Sequence, residues 1–352
     1  MKKIIHLTFL LAFCLNLTNT FTQNVRCKLE GKVIGRKSKT LLFLKATDET
    51  RFSGIKIPII KNAFSFEFEA PFVEKYVLVF EDELENAMWR QIEFFAENGT
   101  INFVLHSLED YAQNTISGGD LTQKMVRFNQ QLINKRDSIR TLDANWKYEY
   151  IKQHPDVFSY SLLLELIERY SDDKKGIDIM ALTELFPSFS KLYPSHPYTT
   201  KIAEMLNAIH HLKVGDHFLD FSAPTIDGEV KKVSELIKGK VAVIDMWASW
   251  CGPCRYLSKS MIPVYEKYKD KGFTIVGVAA EFKTNEHFKA AVKKDKYPWT
   301  NLIELDKQNG IWNKYNIDRG GGNTYLVDSN GVILAIHPKA EELEKILGDI
   351  LK

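Results

Sequence analysis

The sequence predicts three structural regions: an all-β N-terminal domain (antiparallel sandwich or barrel-like), a helical connecting region and an α/β C-terminal domain. Three patterns predict this order. Apolar residues alternate in short runs over residues 23–112, recur at helical spacing over 113–212, and form alternating strand-like and helix-like runs over 213–352. The length of 352 residues suits two or three domains of about 100–200 residues each.

Composition and charge describe a globular chain. Hydrophobic residues make up 45% of the sequence and charged residues 26%, which is enough apolar material to bury cores. The net charge is only +2 and the lysines are scattered along the chain, so we predict no nucleic-acid binding.

Residues 1–22 have the layout of a secretory signal peptide. A basic start, MKK, precedes an apolar core, IIHLTFLLAFCLNL, and a small-polar exit, TNTFTQ. The apolar core is shorter than the roughly 20 residues of a membrane span, and cleavage after Thr22 would leave Gln23 as the first residue. The alternative is an uncleaved N-terminal anchor. Both readings place the bulk of the protein outside the cytoplasm, in the periplasm or cell envelope.

The region 23–112 contains strand-like runs rich in β-branched and aromatic residues, separated by turn signals such as Gly35 and ENGT. Phe64, Phe66 and Phe68 alternate with period two and are expected on one face. The runs are CKLEGKVIG, TLLFLKA, IKIPII, AFSFEFEA, KYVLVFED, RQIEFFA and TINFVLH.

The region 113–212 has the period of helices. One predicted apolar stripe consists of Ile202, Met205, Leu206, Ile209 and Leu212. The run FSYSLLLELIERY is apolar around more of its circumference, so we expect it to be buried on more than one side. FPSF and YPSHP are expected to break helices. His210 and His211 point about 100° apart on a helix, which favours packing or solvent-facing roles over metal binding.

The region 213–352 alternates strands and helices, which indicates a sheet with helices on both faces. The predicted strands are KVAVIDMW, FTIVGVAAE and the hairpin NTYLVDSNGVILAIH. The predicted helices are RYLSKSMIPVYEKYKDKG, NEHFKAAVKKDK and AEELEKILGDILK.

Two cysteines in the segment WASWCGPCR carry the clearest chemical signal. A helix is expected to start at Cys251, where unpaired N–H groups and the helix dipole stabilise a thiolate and lower the cysteine pKa. Cys254 lies within reach on the same face and can attack a mixed disulfide formed at Cys251. Pro253 suits the first helical turn, and Gly252 leaves the approach to Cys251 open.

Two other uses of this cysteine pair are weaker. A zinc site needs two further ligands, and the third cysteine expected in the mature chain, Cys27, lies in another domain. A structural clip would close a ring too small to constrain the unfolded chain much. Cys27 itself is expected to be a half-buried thiol in the first strand. The sequence therefore favours redox exchange and predicts no metal and no cofactor.

The segment VAVIDMWASWCGPCR resembles the active-site segment of the thioredoxin superfamily. The preceding VGDHFLDFSAPTIDGEVKKVSELIKGK resembles that of the exported TlpA/ResA-type thiol–disulfide oxidoreductases. The resemblance covers about residues 213–352 and implies a thioredoxin-like fold there. The β-rich and helical part is similar to an N-terminal extension of some envelope members.

The resemblance implies a role for each matching residue. Cys251 matches the attacking cysteine, Cys254 the resolving one, and Asp245 the buried carboxylate that shuttles a proton for the resolving thiol. Burial in a central strand would also raise the pKa of Asp245 toward values useful for a general base. The alternative for Asp245 is a structural aspartate near the strand end, hydrogen-bonded to backbone. Trp250 is expected to cover the cysteine pair and, with Gly252, Pro253 and Gly322, to contact the substrate, whereas Trp247 is expected in the core.

The chain departs from the family pattern at three positions. Leu257 replaces a glutamate, so proton handling should fall to Asp245. Lys259 replaces a helix-kinking proline, and any bend should move to Pro263. Gly322 replaces a cis-proline that faces the disulfide. Because a cis bond before a non-proline residue costs about 2.5–4 kcal/mol, we expect a trans, more flexible segment there, with altered substrate grip and selectivity.

The resulting hypothesis is an exported thiol–disulfide oxidoreductase that reduces disulfides of envelope proteins. Its Gly-Pro spacer is that of thioredoxin, whose potential of about −270 mV favours reduction. By family analogy, a membrane-embedded donor supplies the electrons. The alternative hypothesis is a binding module for an envelope partner or a glycan, in which the thioredoxin-like part is a scaffold of low turnover.

Overall fold

The computed structural model describes residues 24–47, 54–85, 88, 90–134, 140–172, 176–317 and 322–351. The predicted signal peptide, residues 1–22, lies outside the described residues. Within the described ranges, no helix is both long enough and apolar enough to cross a membrane.

Two four-stranded sheets form the N-terminal region. Their strands are β1 (Val25–Val33), β2 (Thr40–Lys45), β3 (Ile55–Pro58), β4 (Ala63–Ala70), β5 (Lys75–Phe80), β6 (Ile92–Phe95), β7 (Gly99–Leu105) and β8 (Thr115–Ser117). A short helix α1 (Glu81–Glu85) follows β5, and a 3₁₀ turn (Tyr111–Gln113) precedes β8. The sheet orders are β4-β1-β7-β8 and β3-β2-β5-β6, and the two sheets share one apolar core. The predicted sandwich is confirmed.

Two details of the sandwich differ from the sequence prediction. Strand β1 pairs with β7 in parallel, so the sheet is mixed rather than purely antiparallel. A parallel pair cannot be joined by a hairpin, and here almost the whole domain lies between the two strands. In addition, β8 extends this sheet to Ser117, beyond residue 112, where the alternating pattern ends.

Cys27 lies inside the sandwich. It is fully buried in β1, rather than half-buried as expected, and packs in the core that both sheets share. Burial raises the pKa of the Cys27 thiol, which keeps it protonated and unreactive near neutral pH. This placement fits the packing role that the sequence favours.

Five helices form the second region: α2 (Asp120–Asn134), α3 (Arg140–Gln153), α4 (Val157–Asp172), α5 (Ile179–Leu192) and α6 (Pro197–His211). Buried side chains confirm the predicted burial of α4 on more than one side; they include Phe158, Tyr160, Leu163 and Ile167. The predicted stripe of α6 is buried at Ile202, Met205 and Leu206.

One predicted helix break is wrong. Helix α5 runs through Pro187 of FPSF, because Leu182 and Phe189 on either side of the proline are buried in the helical core and hold the helix together. The Ser188 hydroxyl also donates to the Leu185 carbonyl, 2.7 Å away. The second predicted break, at YPSHP, separates α5 from α6 as expected.

The C-terminal region is an α/β fold, as predicted. Its strands are β9 (Ser222–Pro224), β10 (Val230–Lys232), β11 (Val241–Trp247), β12 (Phe273–Glu281), β13 (Thr300–Leu305), β14 (Asn323–Val327) and β15 (Ile333–Ile336). Its helices are α7 (Val233–Leu236), α8 (Gly252–Ser260), α9 (Ile262–Tyr268), α10 (Glu286–Asp295), α11 (Ile311–Lys314) and α12 (Ala340–Ile350), with a 3₁₀ turn at Lys269–Lys271.

Strand β11 is the centre of the main sheet, whose order is β13-β12-β11-β14-β15. It pairs in parallel with β12 and antiparallel with β14, and all seven of its residues are buried. Helix α8 follows it and ends at Ser260, and α9 begins at Ile262 with Pro263 in its first turn. The predicted move of the bend to Pro263 is confirmed.

The helical region contacts both of its neighbours. The Lys75 amide in β5 donates to the Tyr198 hydroxyl in α6, 2.9 Å away. On the other side, the Asn316 side-chain amide donates to the Ser171 hydroxyl in α4 at 2.6 Å. Asn316 lies in the segment that follows α11 and leads toward Gly322.

Candidate active site

Cys251 and Cys254 form a disulfide at the start of α8, with Cα atoms 5.3 Å apart. Helix α8 begins at Gly252, one residue later than predicted, and Cys251 is its N-cap residue. The Cys251 sulfur accepts the Cys254 N–H at 3.2 Å, so it lies where the helix N-terminus stabilises negative charge. Pro253 sits in the first turn as expected.

Asp245 lies in the middle strand beneath the cysteines and is almost fully buried. Burial raises the pKa of Asp245 to about 7, and a hydrogen bond from Ser258 opposes this rise only in part. The Ser258 hydroxyl donates to Asp245 Oδ2 at 2.6 Å. The hydrogen-bond partner of Asp245 is therefore the Ser258 side chain in α8. The alternative role of Asp245, a structural aspartate, predicted a backbone partner instead.

The sequence interpretation missed Ser258. It follows Cys254 by one helical turn, and its hydroxyl lies 3.0 Å from the Cys254 carbonyl oxygen. Residues four apart share a helix face, so the spacing of Cys254 and Ser258 in the sequence could have identified Ser258 as a neighbour of the site. Ser258 connects the carboxyl group of Asp245 to the helix that carries both sulfurs.

Gly322 lies directly against the second sulfur. Its backbone N–H donates to Cys254 Sγ at 3.1 Å. A Cβ atom on Gly322 would lie 2.0 Å from the Met246 carbonyl oxygen, so the position has no room for a side chain. The expected trans bond before Gly322 involves Gly321, which lies outside the described residues.

A cavity of about 510 Å³ opens beside the disulfide. Its lining includes Asp245, Cys251, Pro253, Cys254, Leu257 and Gly322. It therefore brings together five of the seven predicted site residues, and Leu257 adds an apolar side chain to its wall. Tyr256, which the sequence did not single out, lies at the rim and is 76% exposed.

Trp250 and Gly252 do not line this cavity. The Trp250 ring stacks on Phe282, with centroids 6.1 Å apart, and the residue remains about half exposed. The Trp250 ring therefore packs on the loop after β12, and its covering of the cysteine pair stays a prediction. Gly252 faces open space, as its predicted role requires. Trp247 is fully buried in the core, as predicted.

The loop before Cys251 is held at Ser249, in a network that the sequence interpretation missed. Glu281, at the end of β12, accepts hydrogen bonds from the Ser249 N–H and hydroxyl, both at 2.7 Å. Arg255 donates to the Ser249 carbonyl at 3.2 Å and forms a two-point ion pair with Asp295 at 2.6 and 2.9 Å. Both backbone polar groups of Ser249 are therefore held, two residues before the first sulfur.

Histidine and acidic side chains offer no competing site in the part of the chain that the structure describes. No group of three or more His, Cys, Asp or Glu side chains there is arranged to hold a metal ion. His210 Nε2 lies 3.0 Å from the Thr183 hydroxyl, which is the packing role predicted for it.

Comparisons with known proteins agree with this site. Residues 214–336 match the model of the AhpC/TSA family, and residues 27–125 match a domain of unknown function, DUF4369. Over 128 residues the chain is 34% identical to the thioredoxin-like protein YneN of Bacillus subtilis, covering 36% of this chain and 72% of that protein. Over 143 residues it is 31% identical to the thiol-disulfide oxidoreductase ResA of Oceanobacillus iheyensis, covering 39% and 70%.

A solved structure is similar over the same part. The thioredoxin domain of a thiol-disulfide oxidoreductase from Bacteroides vulgatus is 26% identical, covers 40% of this chain and 99% of that chain, and has a TM-score of 0.37. The matched family and relatives confirm the thioredoxin-like fold class and the resemblance seen in the sequence. The chain therefore belongs to the thioredoxin-like thiol–disulfide oxidoreductases and is a protein thiol–disulfide oxidoreductase.

Proposed function

We propose that this oxidoreductase is exported and reduces disulfides of proteins in the cell envelope. The observation that carries the proposal is the pairing of one sulfur at a helix N-cap, Cys251, with a second, Cys254, beside a buried carboxyl group. The Gly-Pro spacer, which is that of thioredoxin, supports the reducing direction. The layout of residues 1–22 supports export.

In the proposed reaction, the Cys251 thiolate attacks a disulfide of the partner protein. One partner sulfur leaves with the electron pair, and the other forms a mixed disulfide with Cys251. Asp245, ionised above its pKa of about 7, takes the proton of the Cys254 thiol. The Cys254 thiolate then attacks Cys251 Sγ, which releases the reduced partner and leaves the Cys251–Cys254 disulfide. A membrane-embedded donor of two electrons would restore the dithiol.

The proposed partner surface surrounds the cavity. Pro253 and Gly322 line it, Gly252 leaves Cys251 accessible, and the exposed rings of Trp250 and Tyr256 are available to contact a polypeptide. Aromatic rings contribute large contact areas at low cost in side-chain entropy, which suits a protein that must bind different partners briefly.

The reduction potential tests the direction of electron flow. We expect a value near that of thioredoxin, about −270 mV, when the protein is equilibrated with dithiothreitol buffers and the thiol state is read by alkylation. A value near that of the oxidant DsbA, about −120 mV, would contradict a reductase.

A trapping experiment separates the enzyme from the binding-module alternative, which the substitution at Gly322 and the large N-terminal half motivate. In Cys254→Ala the mixed disulfide cannot resolve, so conjugates with envelope proteins should accumulate and disappear on reduction. The control is the double variant Cys251→Ser/Cys254→Ala, which should capture none of them. Equal capture by the double variant would favour the module.

A further inference from the structure

We infer that the backbone N–H of Gly322 is a catalytic hydrogen-bond donor, which stabilises the thiolate of Cys254 whenever the Cys251–Cys254 disulfide opens. The inference rests on the proposed disulfide exchange and adds a group to it. A proline at this position has no N–H, so the family pattern cannot supply this contact. The substitution therefore changes the chemistry of the second sulfur as well as the shape of the loop.

The geometry places this donor on the reacting atom. The Gly322 nitrogen is 3.1 Å from Cys254 Sγ, and a Cβ atom on Gly322 would lie 3.0 Å from the same sulfur and 2.0 Å from the Met246 carbonyl oxygen. Only a residue without a side chain lets the backbone approach this closely. Among the described residues, no other hydrogen-bond donor contacts Cys254 Sγ.

The other described groups that line the cavity around Cys254 are apolar, polar or charged with either sign, and none of them donates a hydrogen bond to its sulfur. Asp245, below the sulfur, becomes negative as it ionises and then opposes a second negative charge. Leu257 adds an apolar wall, while His337, Lys339 and Glu341 line the cavity from the side of β15 and α12. Cys254 is 9% exposed, so water solvates its sulfur poorly. A hydrogen bond from a fixed N–H therefore stabilises a thiolate more strongly there than in bulk solvent.

The Gly322 N–H acts when the Cys251–Cys254 disulfide opens. A thiolate of a dithiol reductant attacks Cys251 Sγ; a new S–S bond forms there, the bond to Cys254 breaks, and its electron pair stays on Cys254 Sγ. An ionised acceptor makes a stronger hydrogen bond than a neutral disulfide sulfur, so the contact with Gly322 strengthens as the bond breaks. A thiol of lower pKa also leaves faster.

The test removes the N–H without adding atoms. Gly322→glycolic acid, introduced by nonsense suppression, replaces the N–H by an ester oxygen. In a Cys251→Ala background, the pH dependence of Cys254 alkylation is followed by peptide mass spectrometry, which distinguishes Cys254 from Cys27. We expect the pKa of Cys254 to rise by about one to two pH units, the size of a lost hydrogen bond to a charged group.

The matched control is Gly310→glycolic acid. The Gly310 N–H donates to the Lys307 carbonyl at 3.0 Å, so the control also loses one backbone hydrogen bond, in a turn that does not contact Cys254. We expect no change in the Cys254 pKa there. An equal pKa in the Gly322 ester and the parent protein would overturn the inference. If that ester variant does not fold by circular dichroism, the amide proton chemical shift of Gly322 in the Cys251→Ala protein decides. That shift should move through the pKa of Cys254, and a shift that stays constant over the same pH range would overturn the inference.

The titration also separates this inference from the proposed function, because it needs no partner protein. A pKa that rises in a protein unable to reduce insulin would sustain the Gly322 donor and refute the reductase. An unchanged Cys254 pKa in a protein that reduces insulin would refute the Gly322 donor and support the reductase.

Discussion

Cys251→Ser is expected to lower insulin reduction to the rate of dithiothreitol alone, the largest loss that we predict for any single substitution. A serine hydroxyl is not ionised near neutral pH and forms no disulfide, so the first step of exchange cannot occur. Cys254 cannot substitute for it, because its sulfur lies against the Gly322 N–H, whereas the N-cap position that favours a thiolate belongs to Cys251. The measurement is the turbidity of insulin chains, recorded with and without the protein.

The control for Cys251→Ser is Cys27→Ala, which removes the third thiol of the described chain. Cys27 is buried in the sandwich core, away from the disulfide, so this variant should retain the turbidity rate of the parent protein. Equal rates for Cys251→Ser and the parent protein would refute the assignment of Cys251 as the attacking group.

Asp245→Asn is expected to slow resolution of the mixed disulfide by about 10²–10⁴-fold, the usual contribution of a positioned general base. In the parent protein the resolution rate should rise with pH through about 7, where Asp245 loses its proton. The variant should lose that inflection, because an amide does not ionise. Stopped-flow measurement of partner release from a preformed mixed disulfide gives both quantities; an inflection near pH 7 that persists in the variant would contradict this role.

The same substitution is expected to stabilise the folded protein at alkaline pH. The unfolded chain ionises Asp245 from its ordinary pKa of 3.8, whereas the folded chain holds the proton up to about 7. The raised pKa of Asp245 in the folded chain therefore adds to the free energy of unfolding. This contribution is complete below pH 3.8 and is lost as the pH rises to about 7. Asn carries no such loss, so the gain for the variant at pH 8 should approach about 4 kcal/mol.

Urea unfolding of the oxidised proteins at pH 8 and pH 4 measures this difference. We expect the gain at pH 8 to shrink to below about 1 kcal/mol at pH 4, where Asp245 is protonated in the folded chain and about two-fifths protonated in the unfolded one. Asp270→Asn, at an exposed position, is the control and should change little at either pH. A variant less stable than the parent protein at pH 8 would show that the ionised Asp245 is stabilised by its surroundings.

Local sequence determined the cysteine chemistry of this protein. The order of a buried strand, a short turn and the start of a helix follows from apolar runs and turn residues, and it places Cys251 at a helix N-cap with Cys254 one turn later. The burial of Asp245 follows from the same apolar run. These features involve neighbours along the chain, so residue spacing and secondary-structure period were enough to predict them.

Only the tertiary structure decided which distant groups meet at this site. Gly322 is 68 residues from Cys254 and reaches it because β14 pairs with β11, a register that no local pattern specifies. Glu281 holds Ser249 only because β12 ends beside that loop. Likewise, the packing of α5 overrode the helix-breaking tendency of Pro187. Contacts of this kind depend on the pairing of strands and the burial of side chains that lie far apart in the chain, and their energies appear only once the core has formed.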